Sequence, residues 1–513
     1  MPNAPKKWKL NPYLTIQKGN IPMLPIKSSI RGTFGLNFYW GVGVILKLIR
    51  KKFKKENYNI IHTHCSGVAA PLIVGYIAKK IFKKPLVYTV HCCRVSTYHP
   101  IEVTLSEKQL TSIVDYCEIC TILTTSTYMD LLKQRLIKFD FGIEIYCIDT
   151  KEIYFNKKRN RPLTEEWDGN TTVNDTAIML HTSGTTSNPK RVMLTHKNLI
   201  CNIESNIASL EFNEKDTTLI VLPMYFGYCN CSQFLTHVYL GGRIIIAPQP
   251  FNPAIFLQLI EKYKCTNTTC IPSMLFLTIS IRNKYDMSSL RYLCFGGGVM
   301  PVHKLKQIIS FFEGTGIVQT YGQTEASPRV TCLLPKDCLR KIGSVGKPIP
   351  GVEIDILDKN GVPVKNGEKG EIVVRGNNVM KGYYKHQDKT EQTIINGWLH
   401  TGDIGRVDEE GYLYIVGRIK NVIISGGLNI YPEEIEEILI NYEGIKEVIV
   451  FGEKHDILGE IPVAKVVTDG CYIDEGQILE YSKKMVDAYK IPKKIIFCEQ
   501  LEKTYNGKIR RTV

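Results

Sequence analysis

The sequence lacks several features that would assign it to a simple class of protein. No Gly-x-x-x-x-Gly-Lys-[Ser/Thr] motif occurs in its 513 residues, which excludes a Walker-type nucleotide site. It contains no internal repeat and no low-complexity tract, so solenoid and disordered proteins are also excluded. Cys117 and Cys120 form a CxxC pair, but no second pair follows at zinc-site spacing. These absences leave a folded globular protein of another kind.

Acidic residues are scarce at the start of the chain. Residues 1–56 contain twelve Lys and Arg and only one acid, Glu56, so this segment carries eleven of the fifteen net positive charges. The rest of the chain is nearly balanced, and we expect no nucleic-acid partner. Within the segment, residues 35–56 (GLNFYWGVGVILKLIRKKFKKE) combine an apolar part too short to span a bilayer with a dense basic run. A helix on an anionic membrane surface would give this pattern, and so would a solvated charge run beside a core helix.

The sixteen cysteines are scattered and lie mostly in apolar runs. With no secretory signal recognised, this distribution predicts reduced thiols in a cytoplasmic protein. The HTHC and HCC strings at 62–65 and 91–93 contain metal-ligand residue types. The alternative is that each string ends a buried strand, because β-branched runs precede both.

The length predicts two to four domains. A strand–helix–strand pattern over about 57–96 predicts a parallel sheet, and α/β alternation continues to about residue 330. Residues 340–417 change to short strands separated by Asn-Gly and other turn signals. From 419 onward the chain predicts a compact α+β unit with EEIEEILINY as an amphipathic helix.

A loop rich in hydroxyl groups follows the predicted strand AIMLH and precedes MLTHKNLICNIES, which predicts a helix. Phosphate oxygens bind to backbone N–H groups and hydroxyl donors in turns of this kind, and Lys190 adds a positive charge. The loop residues that would make these contacts are Thr182, Ser183, Gly184, Thr185 and Thr186. Taken alone, the loop is weak evidence, because a stretch of Ser, Thr and Gly is usually just a connector.

Further motifs follow the loop in a fixed order: YGQTEASP at 321–328, HTGDIG at 400–405, GRIKNVIISGGLNIYPEEIE at 417–436 and KTYNGKIRR at 503–511. Together they resemble the adenylate-forming superfamily of acyl-CoA synthetases, aryl-CoA ligases and peptide-synthetase adenylation domains, over about residues 99–513. The resemblance implies an α/β fold with a large domain at 99–418, truncated at its front and including a β-rich subdomain at about 340–417. It also implies a small, mobile α+β domain at 419–513.

The resemblance implies a role for individual residues. The 182–190 loop would hold the β- and γ-phosphates of ATP, Thr324 would contact the α-phosphate, and Glu325 would bind Mg²⁺. Lys508 would reach the site from the small domain, with Lys420 at the hinge. The implied adenine and ribose contacts are Gly296, Gly297, Gly298, Tyr321, Asp403 and Arg418. Catalysis would rest on Lys508, Glu325 and Thr324, because cations and donors are needed where a carboxylate meets a phosphate.

The resemblance also implies where the acid and the thiol bind. Tyr225, Phe226 and Tyr228 would line an acyl pocket that fits fatty and aryl acids alike. Gly426 and Gly427 would border the path of the thiol acceptor.

Some positions depart from the family pattern, and some have ordinary structural alternatives. Ser187 and Arg191 replace frequent glycines, Asn421 replaces a frequent Asp after the hinge, and Phe226 stands where His is frequent. Alternatively, Glu325 is a helix N-terminal acid, Asp403 a turn residue and Arg418 a surface charge. These alternatives leave the ordered series of motifs unexplained.

The N-terminal part of the chain departs further from the pattern of the adenylate-forming family. Residues 10–97 resemble the N-terminal part of GT-B glycosyltransferases of family 4, so the chain is interpreted as a fusion with an N-terminal segment at 1–98 that carries a βαβ fragment. The predicted function is ATP-dependent formation of an acyl-adenylate and then a thioester with coenzyme A. Alternatives are transfer to the phosphopantetheine of an acyl carrier protein, an inactive chimera, and a glycosyltransferase. The last is disfavoured because no nucleotide-sugar half follows.

Overall fold

The computed structural model describes most of the chain after residue 106. It divides into two units, Met1–Met179 and Leu180–Val513, which are treated separately below. For the strands at 13–17, 60–66 and 86–91 only the backbone is described. The other described residues are 107–117, 119, 121–136, 143–147, 149–155, 172–181, 190–248, 250–281, 285–298, 300–470, 472–502 and 511.

The first unit begins with a sheet of three strands, β1 (Tyr13–Gln17), β2 (Ile60–Ser66) and β3 (Leu86–His91). Strands β2 and β3 pair in parallel, as the strand–helix–strand pattern predicts, and β1 pairs antiparallel to β2. Most of the predicted GT-B-like fragment, including the basic segment at 35–56 and Cys93, lies outside the described residues.

The remainder of the first unit alternates helices and strands. Its core contains the buried side chains of Val114, Leu136 and Ile145. Strand β4 pairs in parallel with β5, and β6 pairs antiparallel to β5. The elements are α1 (Glu107–Tyr116), β4 (Thr121–Thr124), α2 (Ser126–Leu136), β5 (Glu144–Cys147), β6 (Ile153–Phe155) and β7 (Thr176–His181), which continues into the second unit.

The second unit contains the remaining described elements. Its strands up to the hinge are β8 (Arg191–Thr195), β9 (Thr217–Ile220), β10 (Arg243–Ile246), β11 (Asn267–Cys270), β12 (Tyr292–Phe295), β13 (Gly316–Tyr321), β14 (Thr331–Leu333), β15 (Ser344–Pro348), β16 (Val352–Leu357), β17 (Gly370–Gly376), β18 (Gly382–Tyr383), β19 (Ile394–Ile395), β20 (Trp398–Val407) and β21 (Leu413–Arg418). Its helices over the same range are α3 (His196–Leu210), α4 (Gly227–Cys229), α5 (Thr236–Leu240), α6 (Pro253–Tyr263), α7 (Pro272–Thr278), α8 (Val302–Phe311) and α9 (Gln387–Thr393). A π-helix (Asn230–Leu235) joins α4 to α5.

A mixed sheet of twelve strands dominates the described part of this unit. Its order is β10-β9-β11-β12-β13-β14-β15-β21-β20-β17-β16, with β19 beside β20. Strands β10 to β13 pair in parallel, and the pairing becomes antiparallel from β14 onward. The parallel part packs on a core that includes the fully buried Phe256, Phe295 and Phe312. The antiparallel part includes the β-rich region predicted at 340–417.

The prediction of a helix from Met193 onward is wrong at its first residues. Strand β8 extends to Thr195, and α3 begins only at His196. The Thr195 Oγ1 accepts a 3.1 Å hydrogen bond from the Asn198 backbone N–H, and the Asn198 Oδ1 accepts one of 2.8 Å from the Thr195 N–H. This capping box fixes the start of the helix, while β8 pairs antiparallel with β18.

The C-terminal part of the second unit has its own sheet and core. The sheet has the order β23-β22-β25-β24, with β26 beside β25. The predicted amphipathic helix is present as α10, whose Ile435 and Leu439 are buried on one face. The elements are β22 (Ile423–Ser425), β23 (Leu428–Ile430), α10 (Pro432–Leu439), β24 (Ile445–His455), β25 (Gly459–Thr468), α11 (Glu475–Met485) and β26 (Lys494–Phe497).

The described residues also show the state of the cysteines and the length of the apolar helices. Among the described residues, the cysteines carry free thiols, and Cys117 is partly exposed while its CxxC partner Cys120 lies outside those residues. No helix in the described part of the chain is long and apolar enough to cross a membrane.

Candidate active site

The chain leaves the parallel strands at one edge of the large sheet, and several of the predicted site residues follow these strand ends. Residues 221–228 follow β9, Gly296 to Gly298 follow β12, and Thr324 and Glu325 follow β13. The carboxyl ends of neighbouring parallel strands lie side by side, and ligands of open α/β sheets bind outside them. The topology therefore brings these three segments to one edge.

The glycines after β12 run close to strand β13. A Cβ atom at Gly296 would lie 2.6 Å from the carbonyl oxygen of Thr320 and 2.8 Å from its Oγ1. No other residue fits there without displacing backbone. Gly297 has a φ of +77°, in the left-handed region that favours glycine. The tight turn leaves Gly297 and Gly298 exposed at the strand edge.

Tyr228 connects the segment after β9 to strand β13. The Thr320 hydroxyl donates a 3.2 Å hydrogen bond to the Phe295 carbonyl, so the Tyr228 hydroxyl, 2.7 Å away, donates to the Thr320 Oγ1. Burial raises the pKa of Tyr228, which stays protonated. The rings of Tyr225 and Phe226 are partly exposed, with centroids 4.6 Å apart. The three predicted pocket residues thus present aromatic surface near this edge.

Arg329 is a buried cation behind this aromatic segment. It is only 2% exposed, and its Nη1 donates to the Asn206 Oδ1. Within the described part of the chain, no carboxylate forms an ion pair with it, and its Nε has no hydrogen-bond partner. Its charge acts on Tyr228, where burial raises the pKa and the guanidinium opposes that rise. Sequence reasoning missed Arg329, although it follows YGQTEASP directly.

Tyr321, Asp403 and Arg418 form a second group. The Tyr321 hydroxyl donates a 2.8 Å hydrogen bond to the Asp403 Oδ2, and the Arg418 Nε lies 2.7 Å from the Asp403 Oδ1. Asp403 is 3% exposed and pairs with Arg418 across strands β20 and β21. Burial and the neighbouring Asp403 raise the pKa of Tyr321 well above its usual range, so its hydroxyl remains a donor. Asp403 is therefore a strand residue rather than a turn residue.

Lys190, Tyr383 and Glu325 form a third group. The Tyr383 hydroxyl donates a 3.0 Å hydrogen bond to the Glu325 Oε1, and the Lys190 Nζ lies 4.4 Å from the centroid of the Tyr383 ring. The pairing of β8 with β18 places Tyr383 opposite Val192, close to Lys190 in the chain. Burial raises the pKa of Glu325, and hydrogen bonds and Lys190 oppose that rise. Sequence reasoning missed Tyr383, whose Gly-Tyr-Tyr string carries no signal by itself.

The third group offers one carboxylate, that of Glu325, to a magnesium ion. Among the described residues, no cluster of three or more His, Cys, Asp or Glu side chains could hold a metal ion. Glu325 is a single carboxylate in a short 3₁₀ turn, Thr324–Ala326, beside the positive charge of Lys190. Magnesium is usually held by one or two carboxylates together with phosphate oxygens and water, so this arrangement fits it.

The predicted hinge and thiol path lie beyond Arg418. A 3₁₀ turn, Ile419–Asn421, contains Lys420, whose pKa is lowered by burial and by the nearby Arg418. Gly426 and Gly427 form the exposed turn between β22 and β23, with φ values of +56° and +81°. Two sets of predicted residues lie outside the described ones: Thr182 to Thr186 of the hydroxyl-rich loop, and Lys508.

Both the protein families that match this sequence and its similar proteins show the family to which the chain belongs. The family described as "AMP-binding enzyme" matches residues 95–384, and "AMP-binding enzyme C-terminal domain" matches residues 434–508. A feruloyl-CoA synthase from Amycolatopsis sp. is 36% identical over 341 residues, which cover 66% of this chain and 69% of that protein. A 2-succinylbenzoate–CoA ligase from Bacillus cytotoxicus is 33% identical over 383 residues, covering 72% and 78%.

Solved structures agree in fold. O-succinylbenzoate coenzyme A synthetase from Bacillus subtilis, in complex with ATP and magnesium ion, matches with a TM-score of 0.69 and 28% identity over 86% of each chain. ATP-bound MatB from Rhodopseudomonas palustris matches in fold with a TM-score of 0.71, over 97% of this chain and 94% of that one. The chain has the fold of these neighbours, with a large α/β domain and a small C-terminal domain, and it belongs to the AMP-binding enzyme family.

Proposed function

We propose that this chain activates an aromatic carboxylic acid with ATP and transfers the acyl group to coenzyme A. The chain is an AMP-forming acid–CoA ligase, and the class of acid and the roles of individual residues are the new elements. The observation that carries the proposal is the grouping of Lys190, Tyr383 and Glu325 at the same sheet edge as the Tyr321–Asp403–Arg418 group. Together they offer a cation, a metal-binding carboxylate and a hydroxyl-binding carboxylate.

The first half-reaction joins two anions. A carboxylate oxygen of the acid bonds to the α-phosphorus of ATP, the bond to the bridging oxygen breaks, and pyrophosphate leaves. Lys190 and Lys508 would offset the negative charge, and Thr324 would orient the α-phosphate. Magnesium, when bound through Glu325, supplies further charge neutralisation. In the second half-reaction the coenzyme A thiolate attacks the acyl carbon and AMP leaves.

The remaining contacts would orient ATP. Asp403 would accept hydrogen bonds from the ribose hydroxyls, and Arg418 holds this carboxylate in place through the 2.7 Å contact. The Tyr321 ring would stack on adenine beside Gly296 to Gly298. The 2.8 Å hydrogen bond from its hydroxyl to Asp403 would hold the ring in this orientation. The 182–186 hydroxyls would bind the outer phosphates.

An aromatic acid is favoured over a fatty acid by two observations. Tyr225, Phe226 and Tyr228 present aromatic rings where the acid would bind. The similar ligases named for feruloyl and succinylbenzoyl groups also act on aromatic acids.

The test is acid-dependent exchange of pyrophosphate into ATP. Cinnamate-type, benzoate-type and succinylbenzoate-type acids are compared with short, medium and long fatty acids. We expect exchange with one aromatic class, and loss of exchange in Glu325→Ala and Lys508→Ala. The control is Glu353→Ala, which removes an exposed carboxylate paired with Arg375. Exchange with fatty acids alone would refute the substrate class, and no exchange by folded protein would refute the function.

Coenzyme A is proposed as the acceptor in preference to a carrier protein. Thioester formation from acyl-adenylate is measured with free coenzyme A and with a phosphopantetheinylated carrier protein. Turnover with the carrier alone would overturn this choice.

For residues 10–97 we propose that the segment is a GT-B-like βαβ unit and that its role is structural. The parallel pairing of β2 with β3 supports the βαβ arrangement, and the match of the MatB fold over 97% of this chain supports a structural role within the ligase fold. Binding of a nucleotide sugar to the full chain, measured by calorimetry, would contradict a purely structural role.

We also propose that the basic segment at 35–56 contacts anionic membrane surfaces. Cosedimentation with phosphatidylserine vesicles that is lost at high salt would support this contact. The same binding to neutral vesicles, or none at all, would refute it.

A further inference from the structure

Arg511 is anchored by three contacts in the C-terminal part of the chain. Its Nη1 donates a 2.7 Å hydrogen bond to the Val450 carbonyl, and its Nη2 lies 2.7 Å from the Glu436 Oε2 and 3.2 Å from the Glu433 Oε1. Lys508 is three residues earlier in the chain. Lys508 itself lies outside the described residues, and only Ile509 and Arg510 separate it from this anchored residue.

One carboxylate oxygen joins this anchor to the hinge. The Asn421 Nδ2 donates a 2.7 Å hydrogen bond to the Glu433 Oε1, the same atom that faces Arg511. Asn421 is the last residue of the hinge turn Ile419–Asn421. The hinge and the chain segment after Lys508 therefore share a single acceptor atom.

The other oxygen of Glu433 is held against the strand before the hinge. A Cβ atom at Gly417 would lie 2.6 Å from the Glu433 Oε2, so only glycine allows this approach. This Oε2 is buried and has no hydrogen-bond partner among the described residues. Leaving a buried carboxylate oxygen unpaired costs free energy, so the contacts of Oε1 must fix this side chain.

We infer that Glu433 is a positioning residue that links the hinge to the segment carrying Lys508. The inference rests on the proposed function, in which Lys508 acts in adenylation. Asn421 and Arg511 approach the same oxygen, so a hinge movement that removes Asn421 also changes the anchor of Arg511. The anchor of Arg511 is therefore complete only while Asn421 and Arg511 both approach this oxygen.

The contact with Glu433 requires a hydrogen-bond donor at position 421, which Asn421 supplies. The amide of Asn421 donates to Glu433, whereas an aspartate would bring a second carboxylate to the same 2.7 Å contact. Like charges at this distance repel and compete for Arg511. Asn421→Asp should therefore break the link, although Asp is frequent at this position in the family pattern.

The experiment combines kinetics with a measurement that needs no activity. Steady-state kcat and KM of ATP–pyrophosphate exchange are determined for Glu433→Ala and Asn421→Asp. In parallel, tryptic cleavage after Lys508 is followed by mass spectrometry without substrates. The matched control is Glu437→Gln, which removes a charge from the same helix without touching Asn421 or Arg511.

We expect Glu433→Ala to lower kcat by about tenfold to hundredfold while KM for ATP and acid changes by less than about twofold, since misplacement of a catalytic group acts mainly on the transition state. Cleavage after Lys508 should accelerate severalfold in Glu433→Ala and Asn421→Asp, and not in the control. If Glu433→Ala does not fold, Asn421→Ala removes only the hinge contact and is expected to give the same faster cleavage.

Unchanged kcat and unchanged cleavage in folded Glu433→Ala would overturn the inference, as would equal effects in Glu437→Gln. Failure of the proposed function has a different signature. In that case the parent chain shows no exchange, while the cleavage rates still report whether Glu433 and Asn421 hold the segment.

Discussion

The Tyr383 hydroxyl donates a 3.0 Å hydrogen bond to the Glu325 carboxylate, and Lys190 lies over the ring of the same tyrosine. Tyr383 thus contacts both the proposed metal-binding carboxylate and the residue at the end of the hydroxyl-rich loop. Burial raises the pKa of Glu325, and the hydrogen bond from Tyr383 is one of the contacts that oppose the rise. The ionised state of Glu325 therefore depends on Tyr383.

Tyr383→Phe should raise the pKa of Glu325 further, because it removes a donor to the charged form. A hydrogen bond to a charged group contributes about 1.5–3 kcal/mol, so the acidic limb of the exchange activity should move to higher pH. The measurement is the pH profile of ATP–pyrophosphate exchange, with Tyr384→Phe as the control. An identical profile in the parent and Tyr383→Phe would contradict the role of this bond.

Glu325→Gln should raise the free energy of unfolding at pH 7 while abolishing exchange. The pKa of Glu325 is raised in the folded state above its ordinary 4.5, so the folded protein binds more protons than the unfolded chain above that pH. Stability then falls as pH rises through this window, and the ionised carboxylate costs stability at neutral pH.

Urea denaturation at pH 4 and pH 7 tests this prediction. The gain in Glu325→Gln should be present at pH 7 and absent at pH 4. A loss of stability at pH 7 would show that the carboxylate is structural, in line with the alternative of a helix N-terminal acid.

Asp403→Asn should weaken both folding and ATP binding. The carboxylate accepts from Tyr321 and contacts Arg418, and an amide cannot satisfy both donors equally. We expect a loss of about 1–3 kcal/mol in the free energy of unfolding, toward the lower end because Arg418 is half-exposed, and a higher KM for ATP. Arg418→Gln provides the comparison, and an unchanged or lower KM for ATP in Asp403→Asn would contradict the ribose contact.

His237 should make the stability depend on pH below neutrality. Its Nδ1 lies 2.8 Å from the Gln233 carbonyl and its Nε2 lies 3.0 Å from the Asn267 Nδ2, so both contacts are satisfied when Nδ1 alone carries hydrogen. Burial lowers the pKa of this buried histidine below its ordinary 6.5. The unfolded chain then binds more protons, and its contribution to stability, complete above pH 6.5, is lost as pH falls toward the folded pKa.

The check is urea denaturation between pH 5 and pH 8 for the parent and His237→Gln. The variant should show a smaller decrease in unfolding free energy toward pH 5, whereas exposed His303→Gln should keep the parent's slope. Equal slopes in all three proteins would show that other groups control the acid response.

Much of the order of elements was predictable from the sequence, whereas the roles of the site candidates stay predictions. The parallel strands, the β-rich region and the amphipathic helix at Pro432–Leu439 follow from periodicity and turn residues, which are local properties. Glu325, Asp403 and Arg418 were candidates because they stand in motifs whose order along the chain is informative. The start of the helix after β8 was misplaced, because Thr195 and Asn198 cap it in a way that apolar spacing does not show.

Only the tertiary structure identified the residues that support these candidates. Tyr383 is 58 residues from Glu325, Arg329 is 123 from Asn206, and Arg511 is 75 from Glu436. Contacts over such separations depend on which strands pair and how helices pack on them, and neither is encoded in local periodicity. The sequence by itself therefore determined the family and the chemical groups, and the packing of distant segments decided which neighbours set their charge and position.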